Sequence, residues 1–270
     1  MSRAALVDTH AHLNDRAFAK DLEEVLARAR QAHVQAIVLP GLHLRSSSEA
    51  LALAHRYPGL YAAVGVHPHD ARTFTPEVLE DLARLATDPK VVAIGEIGLD
   101  FHRNLSPREV QIHTFRELLA LAQELGKPVI VHDREAHEEV CAALEAHAQK
   151  PGFRGGVLHA FSGDLEMAQK VVSWGYAVGI AGPITYPNAH RLRAVARQVP
   201  LAHLLVETDC PYLPPQPYRG RRNEPAWVAE VASAVAQARC IPWDAVALAT
   251  SEHACRLFGL PLQEGGLPER

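Results

Sequence analysis

Eight short, almost wholly apolar runs alternate with longer amphipathic stretches, and this alternation limits the fold more than any other feature of the chain. The runs fall at about 4–8 (AALVD), 34–39 (VQAIVL), 61–66 (YAAVGV), 91–96 (VVAIGE), 128–132 (PVIVH), 156–160 (GVLHA), 176–180 (YAVGI) and 203–209 (HLLVETD). Runs this short and this apolar are expected of parallel strands covered on both faces. Amphipathic segments at 21–32, 76–87, 107–126, 135–149 and 164–175 stand between them, and two more helices are expected near 225–238 and 243–258. In 107–126, Val110, Phe115, Leu118, Leu119, Ala122 and Leu125 recur at helical spacing. Ser106 and Pro107 read there as N-cap and first-turn proline, with Gly126 as the stop. Eight strand–helix alternations predict an α/β fold, a closed (β/α)8 TIM barrel. An open doubly wound sheet is the alternative that periodicity leaves. No GxGxxG follows the first run, so a dinucleotide fold loses its main support.

Composition agrees with one folded unit. The chain has 270 residues, 48% hydrophobic and 21% charged, enough apolar surface to offset chain entropy. A barrel of this kind uses about 250 residues in one piece. No repeat or composition shift marks a boundary, so a single domain is expected over 1–260, with a tail from Pro261 to Arg270 that frays. No apolar stretch of about 18 residues is present, so no membrane association is expected, and nothing points to an obligate protein partner. The N-terminus does not read as a signal peptide. Cys141, Cys210, Cys240 and Cys255 form no C-x-x-C pair, which predicts reduced thiols in a cytoplasmic protein. The net charge of -4 gives no whole-chain footprint for nucleic acid, so any attraction for phosphate must be local.

Polar residues gather at the ends of the predicted strands. The first run ends in Asp8-Thr9-His10-Ala11-His12 and the third in His67-Pro68-His69. The fourth ends in Glu96, with Asp100 and His102 close behind. The fifth ends in His132-Asp133, the sixth in His159 and the eighth in Glu207-Thr208-Asp209. In a barrel these ends converge on one face. Charged groups rarely end buried strands without partners, so their recurrence is a constellation. Residues i and i+2 of a strand point to one side, so His10 and His12 can chelate one ion. With Glu96, His132, His159 and Asp209 the set holds four imidazoles and two carboxylates, enough for two divalent ions about 3.5–4 Å apart with one carboxylate bridging. The mixed N/O donors suit Zn or Mn, and water-filled positions admit Mg. His67 and His69 are expected to contact substrate or support the ligands. His33, His55, His113, His147, His190 and His203 fall in helical or non-converging positions and are expected outside the site.

The segments DTHAHLND, GVHPHD, GEIGLDFHR, PVIVHDREA, LHAFSGD and ETDCPYLPPQPYRGRRNEP together resemble the TatD-related metal-dependent DNase family, from Asp8 to about Leu260. The resemblance implies an amidohydrolase-like barrel with a divalent metal centre that hydrolyses phosphodiester bonds in DNA. By motif match it places His10 and His12 on one ion, Glu96 as bridge, His132 and His159 on the second, and Asp209 completing the site. Two positions depart from the family pattern: Phe101 stands where Tyr is usual, and His253 where Asn is usual.

The chemistry expected of such a site assigns Asp209 as general base, with Glu96 beside it. Arg134, after the fifth run, and Arg219, Arg221 and Arg222, after the eighth, are the candidate phosphate contacts, with His67. For the run 219–222 the plain alternative is a solvated loop. DNA is the expected substrate. A lactonase or aminoacyl-ester hydrolase on the same centre, or a binding barrel without turnover, is the rival reading.

Overall fold

The computed structural model describes residues 4–261, so the tail expected to fray lies, beyond Pro261, outside the described residues. The strands are β1 (Leu6–Asp8), β2 (Val34–Pro40), β3 (Leu60–Val64), β4 (Val91–Asp100), β5 (Val129–Arg134), β6 (Gly156–Leu158), β7 (Tyr176–Ile180) and β8 (Leu204–Val206). They pair in parallel and in sequence order in one sheet. The sheet is drawn round by hydrogen bonds between the chain after β1 and the chain after β8. Thr9 N–H donates to the Val206 carbonyl at 3.3 Å, His12 N–H to that of Cys210 at 2.8 Å, and Asp209 N–H to that of His10 at 2.8 Å. Ala11 and Cys210 form a parallel bridge there. The fold is the expected TIM-type barrel, nearly closed.

The helices are α1 (Leu22–Gln31), α2 (Leu44–Arg56), α3 (Pro76–Leu85), α4 (Arg108–Glu124), α5 (His137–Ala148), α6 (Leu165–Ser173), α7 (His190–Gln198), α8 (Val228–Arg239) and α9 (Trp243–Phe258). Periodicity marks most of them but not α2, which opens on a serine run, or α7, whose three arginines obscure its apolar face. Ser106 does not cap α4. Its hydroxyl donates to the His69 carbonyl at 2.9 Å and accepts from Arg72 N–H at 3.2 Å, so it ties α4 to the loop after β3. Pro107 takes the N-cap position.

Strand alternation divides the core in two. Leu6, Ile37, Val64, Val131, Val178 and Val206 pack outward against the helices. Val7, Val38, Ala63, Ala93, Ile130, Val157, Ala177 and Leu205 fill the barrel interior. Phe258 and Leu260, at the end of α9, close the interior with them. The same period of two, continued past the apolar layer, delivers the polar residues: Ile130 is followed inward by His132, Val157 by His159, and Leu205 by Glu207 and Asp209. Gly179 makes room for this, because a Cβ there would sit 2.7 Å from the Glu207 carboxylate. The strand ends that differ most from expectation are those of β4 and β8. β4 runs on to Asp100, pairing with β5 as far as Arg134, and β8 stops at Val206 so that Glu207, Thr208 and Asp209 lie beyond it.

Phe258 is 4% exposed. Phe258→Ala opens the interior layer and is expected to lower stability by about 3–5 kcal/mol, read as a drop in the urea midpoint. A change below about 1 kcal/mol would show that α9 does not plug the barrel.

Candidate metal centre

Glu96 is buried at the mouth, 2% exposed, and its two oxygens face different groups of imidazoles. Oε2 lies 3.3 Å from His10 Nε2 and 3.7 Å from His12 Nε2. Oε1 lies 2.8 Å from His159 Nε2, 2.9 Å from His132 Nδ1 and 3.3 Å from His67 Nε2. Asp209 completes the first group: its Oδ1 is 3.3 Å from His12 Nε2 and 3.7 Å from His10 Nε2. All six residues expected as ligands are therefore brought together, and His67 joins them on the Oε1 side. His67, Glu96 and His132 form a triad able to hold an ion.

The spacing of these atoms fits a metal. His10 Nε2 and His12 Nε2 stand 3.2 Å apart, two ring nitrogens facing each other. A tetrahedral ion with bonds near 2.1 Å spaces its ligand atoms about 3.4 Å apart. The separations of 3.2–3.7 Å among His10, His12, Glu96 and Asp209 bracket that value. On the other side, His132 Nδ1 and His159 Nε2 are 3.1 Å apart, both directed at Oε1. The donors are imidazole and carboxylate with no thiolate, a set that admits Zn, Mn and, with added water, Mg.

Electrostatics give the same result. Burial opposes ionisation of Glu96, but the imidazoles of His159, His67 and His10 outweigh it and hold its carboxyl well below the ordinary range. Burial likewise opposes charge on His159, while Glu96 pulls its pKa up to about 9. Burial pushes His10 and His67 down to about 4, so both rings offer lone pairs at neutral pH. Without an ion, His159 holds a proton against Glu96; an ion bound there must displace it.

A further layer of carboxylates, present in the strand-end clusters but given no role by them, stands behind the ligand rings. Asp100 accepts from His69 at 2.6 Å and lies 3.6 Å from His132 Nε2. Glu207 accepts from Ala160 N–H and from the Thr9 hydroxyl, and lies 3.8 Å from His159 Nδ1. Burial raises Glu207 to about 7 and Asp8 to about 8. Asp8 accepts from Thr208 N–H at 2.9 Å and from its hydroxyl at 2.6 Å, which ties the chain before His10 to the chain before Asp209. Asp209 itself takes a left-handed conformation, φ 58°. Asn223 secures that turn by donating to the carbonyls of Thr208, at 2.8 Å, and Tyr212, at 2.6 Å.

The arginines divide. Arg134 is exposed at the end of β5. Arg219 lies over the Tyr186 ring at 4.6 Å and Arg221 over that of Trp227 at 5.5 Å, both exposed. Arg222 differs from the expectation of a phosphate contact. It makes a two-pronged pair with Asp21, at 2.8 and 2.6 Å, and stands 4.6 Å from the Phe18 ring. With the Arg28–Glu224 pair at 2.7 Å, it fastens the loop after β8 to α1. Tyr212 is a residue the sequence does not single out. It is 52% exposed, and its ring meets that of His12 edge-on at 5.9 Å.

Residues 7–259 match the model of the TatD related DNase family. The chain belongs to that family. It is similar to an uncharacterized metal-dependent hydrolase, YabD, of Bacillus subtilis, 40% identical over 253 residues, covering 94% of this chain and 98% of that protein. It is also similar to the 3'-5' ssDNA/RNA exonuclease TatD of Cronobacter turicensis, 40% identical over 258 residues, covering 94% and 97%. The crystal structure of YjjV, a TatD homolog from Escherichia coli K12, superposes with a TM-score of 0.89 at 38% identity, covering 95% and 98%. The TatD-related chain is thus a metal-dependent hydrolase, and no described helix is long and apolar enough to cross a membrane.

If Glu96 belongs to both groups, Glu96→Gln is expected to lower the metal content of Mn- or Zn-loaded protein from as many as two ions per chain to less than one. His132→Ala is expected to remove only the ion on the Oε1 side. Elemental analysis after desalting reads both, and an unchanged content in Glu96→Gln would remove the bridging role.

Proposed function

We propose that this chain is a divalent-metal-dependent nuclease that hydrolyses phosphodiester bonds of DNA, taking single strands at the mouth of one barrel domain. The observation that carries the reading is Glu96, whose two oxygens are shared between two ligand groups, with Asp209 beside His10 and His12. The relative named as an exonuclease of single-stranded DNA and RNA supports the choice of substrate. A cytoplasmic setting belongs to the same proposal and rests on four unpaired cysteines.

In this reading His10, His12 and Asp209 would hold one ion, and His132, His159 and His67 would hold another, with Glu96 shared between the two groups. Ions bound there would supply an acidified water and polarise the phosphoryl group. Asp209 turns Oδ1 toward His10 and His12, and its carboxylate would be placed to accept a proton beside them. Asp100 and Glu207 place negative charge behind His132 and His159, at 3.6 and 3.8 Å, which would favour their binding of a cation. Arg134, Arg219 and Arg221 meet the phosphates of the strand outside the centre. Arg222 serves by holding the loop.

Asp209→Asn keeps the shape but removes the basicity. It is expected to lower turnover of end-labelled single-stranded DNA by roughly 10²–10⁴-fold in metal-saturated protein that still folds. Turnover near the wild-type rate would take the base role from this residue. Arg219→Ala with Arg221→Ala is expected to weaken binding of single-stranded DNA and to flatten its salt dependence by about 0.7 in log–log slope per lost contact. Cleavage of a small chromogenic phosphodiester should change much less. An unchanged slope would make the loop a solvated surface.

A further inference from the structure

We propose that the end of the barrel opposite the metal centre carries a second anion site, one that takes a phosphate-bearing small molecule such as a nucleoside monophosphate. A cleft of about 930 Å³ opens there, between the starts of β3 to β7 and the end of α9. Lys90, Lys127, Arg154 and Arg256 line it, and among the described residues no Asp or Glu does. Four cations on one wall repel each other unless an anion lies among them.

The neighbouring acids offset only part of this charge, with Asp88 acting on Lys127 from nearby. Asp88 accepts from Lys90 N–H at 2.8 Å and pairs with His55 at 2.9 Å. Glu252 reaches Arg256 only at 3.9 Å, one turn away on an exposed face of α9. Lys127 is half-buried with its ammonium on the Val91 carbonyl, and burial pushes its pKa down. An anion would restore what burial takes away. The Arg154 side chain lies over the turn before Lys127: a Cβ on Gly126 would sit 3.7 Å from Arg154 Nε. A planar guanidinium beside a point-charge ammonium suits the tetrahedral oxygens of a phosphate.

The rest of the wall suits a ring. Tyr61 and Phe153 line the cleft. Lys90 Nζ stands 4.8 Å from the Tyr61 ring centroid, joining the aromatic wall to the charged one. A free phosphate would use only the cations, whereas a nucleotide would use both surfaces. The site does not depend on nucleic acid being the substrate at the mouth.

The test is binding of dAMP and of inorganic phosphate to metal-loaded protein, followed by equilibrium dialysis. A divalent metal centre would also take phosphate, so two bound molecules per chain are expected. Arg154→Gln with Arg256→Gln alters exposed side chains and should weaken the second binding event at least about tenfold, a loss of about 1.4 kcal/mol. Turnover should stay at the wild-type rate. Conversely, His10→Ala with His12→Ala should lose the metal-centre event and keep the cleft event. Tighter binding of dAMP than of phosphate assigns a nucleotide, and equal binding assigns phosphate alone. The proposal is overturned if the arginine variant binds both ligands as the wild type does. It is equally overturned if the His10, His12 variant binds neither.

Discussion

A single ionised carboxylate, buried among five imidazoles, is the constraint on which the mouth of this barrel depends. Glu96 is withdrawn from water, yet the rings of His159, His67 and His10 keep it charged. A buried charge without such partners costs several kcal/mol, so the rings and the carboxylate must be supplied together. The barrel does this by bringing the ends of β1, β3, β4, β5 and β6 to one place. Two groups of ligands then share one bridge, an arrangement that asks for positive charge on both sides of Glu96.

The layers around this centre follow from the same demand. Asp100 and Glu207 place negative charge 3.6 and 3.8 Å behind the rings of His132 and His159. The turn that presents Asp209 has unfavourable backbone geometry for a residue with a side chain, a cost of order 1 kcal/mol. It is fixed by Asn223 from one side and by the Asp8–Thr208 pair from the other. The loop beyond it is anchored on α1 by Arg222–Asp21 and Arg28–Glu224. Rigid support of this kind is what lets a site on loops keep a fixed ligand geometry.

Much of this was legible in the sequence because the barrel obeys simple periods. Short apolar runs gave the strands, and the polar residues two positions beyond Ile130, Val157 and Leu205 had to point into the mouth. His67 was harder to place. It follows β3 at the start of a tight turn, and nothing in HPHD distinguishes a ring that faces Glu96 from one that meets substrate. Arg222 was misleading for the opposite reason. Its neighbours Arg219 and Arg221 are exposed, but its partner Asp21 lies some 200 residues away in sequence, a long-range pairing that local pattern does not encode. Ser-Pro alone predicts a cap at Ser106, whereas tertiary contact with His69 and Arg72 claims its hydroxyl. Tyr212 carried no signal, since an aromatic residue beside a proline is common in any loop.

The central claim is that Glu96 stands between two ions. It is tested most directly by anomalous diffraction from crystals of the Mn-loaded protein. The account predicts two anomalous peaks about 3.5–4 Å apart, one on each side of the Glu96 carboxylate. One should lie among His10, His12 and Asp209, and the other among His132, His159 and His67. A single peak away from Glu96, or two peaks that do not share it, would contradict the account.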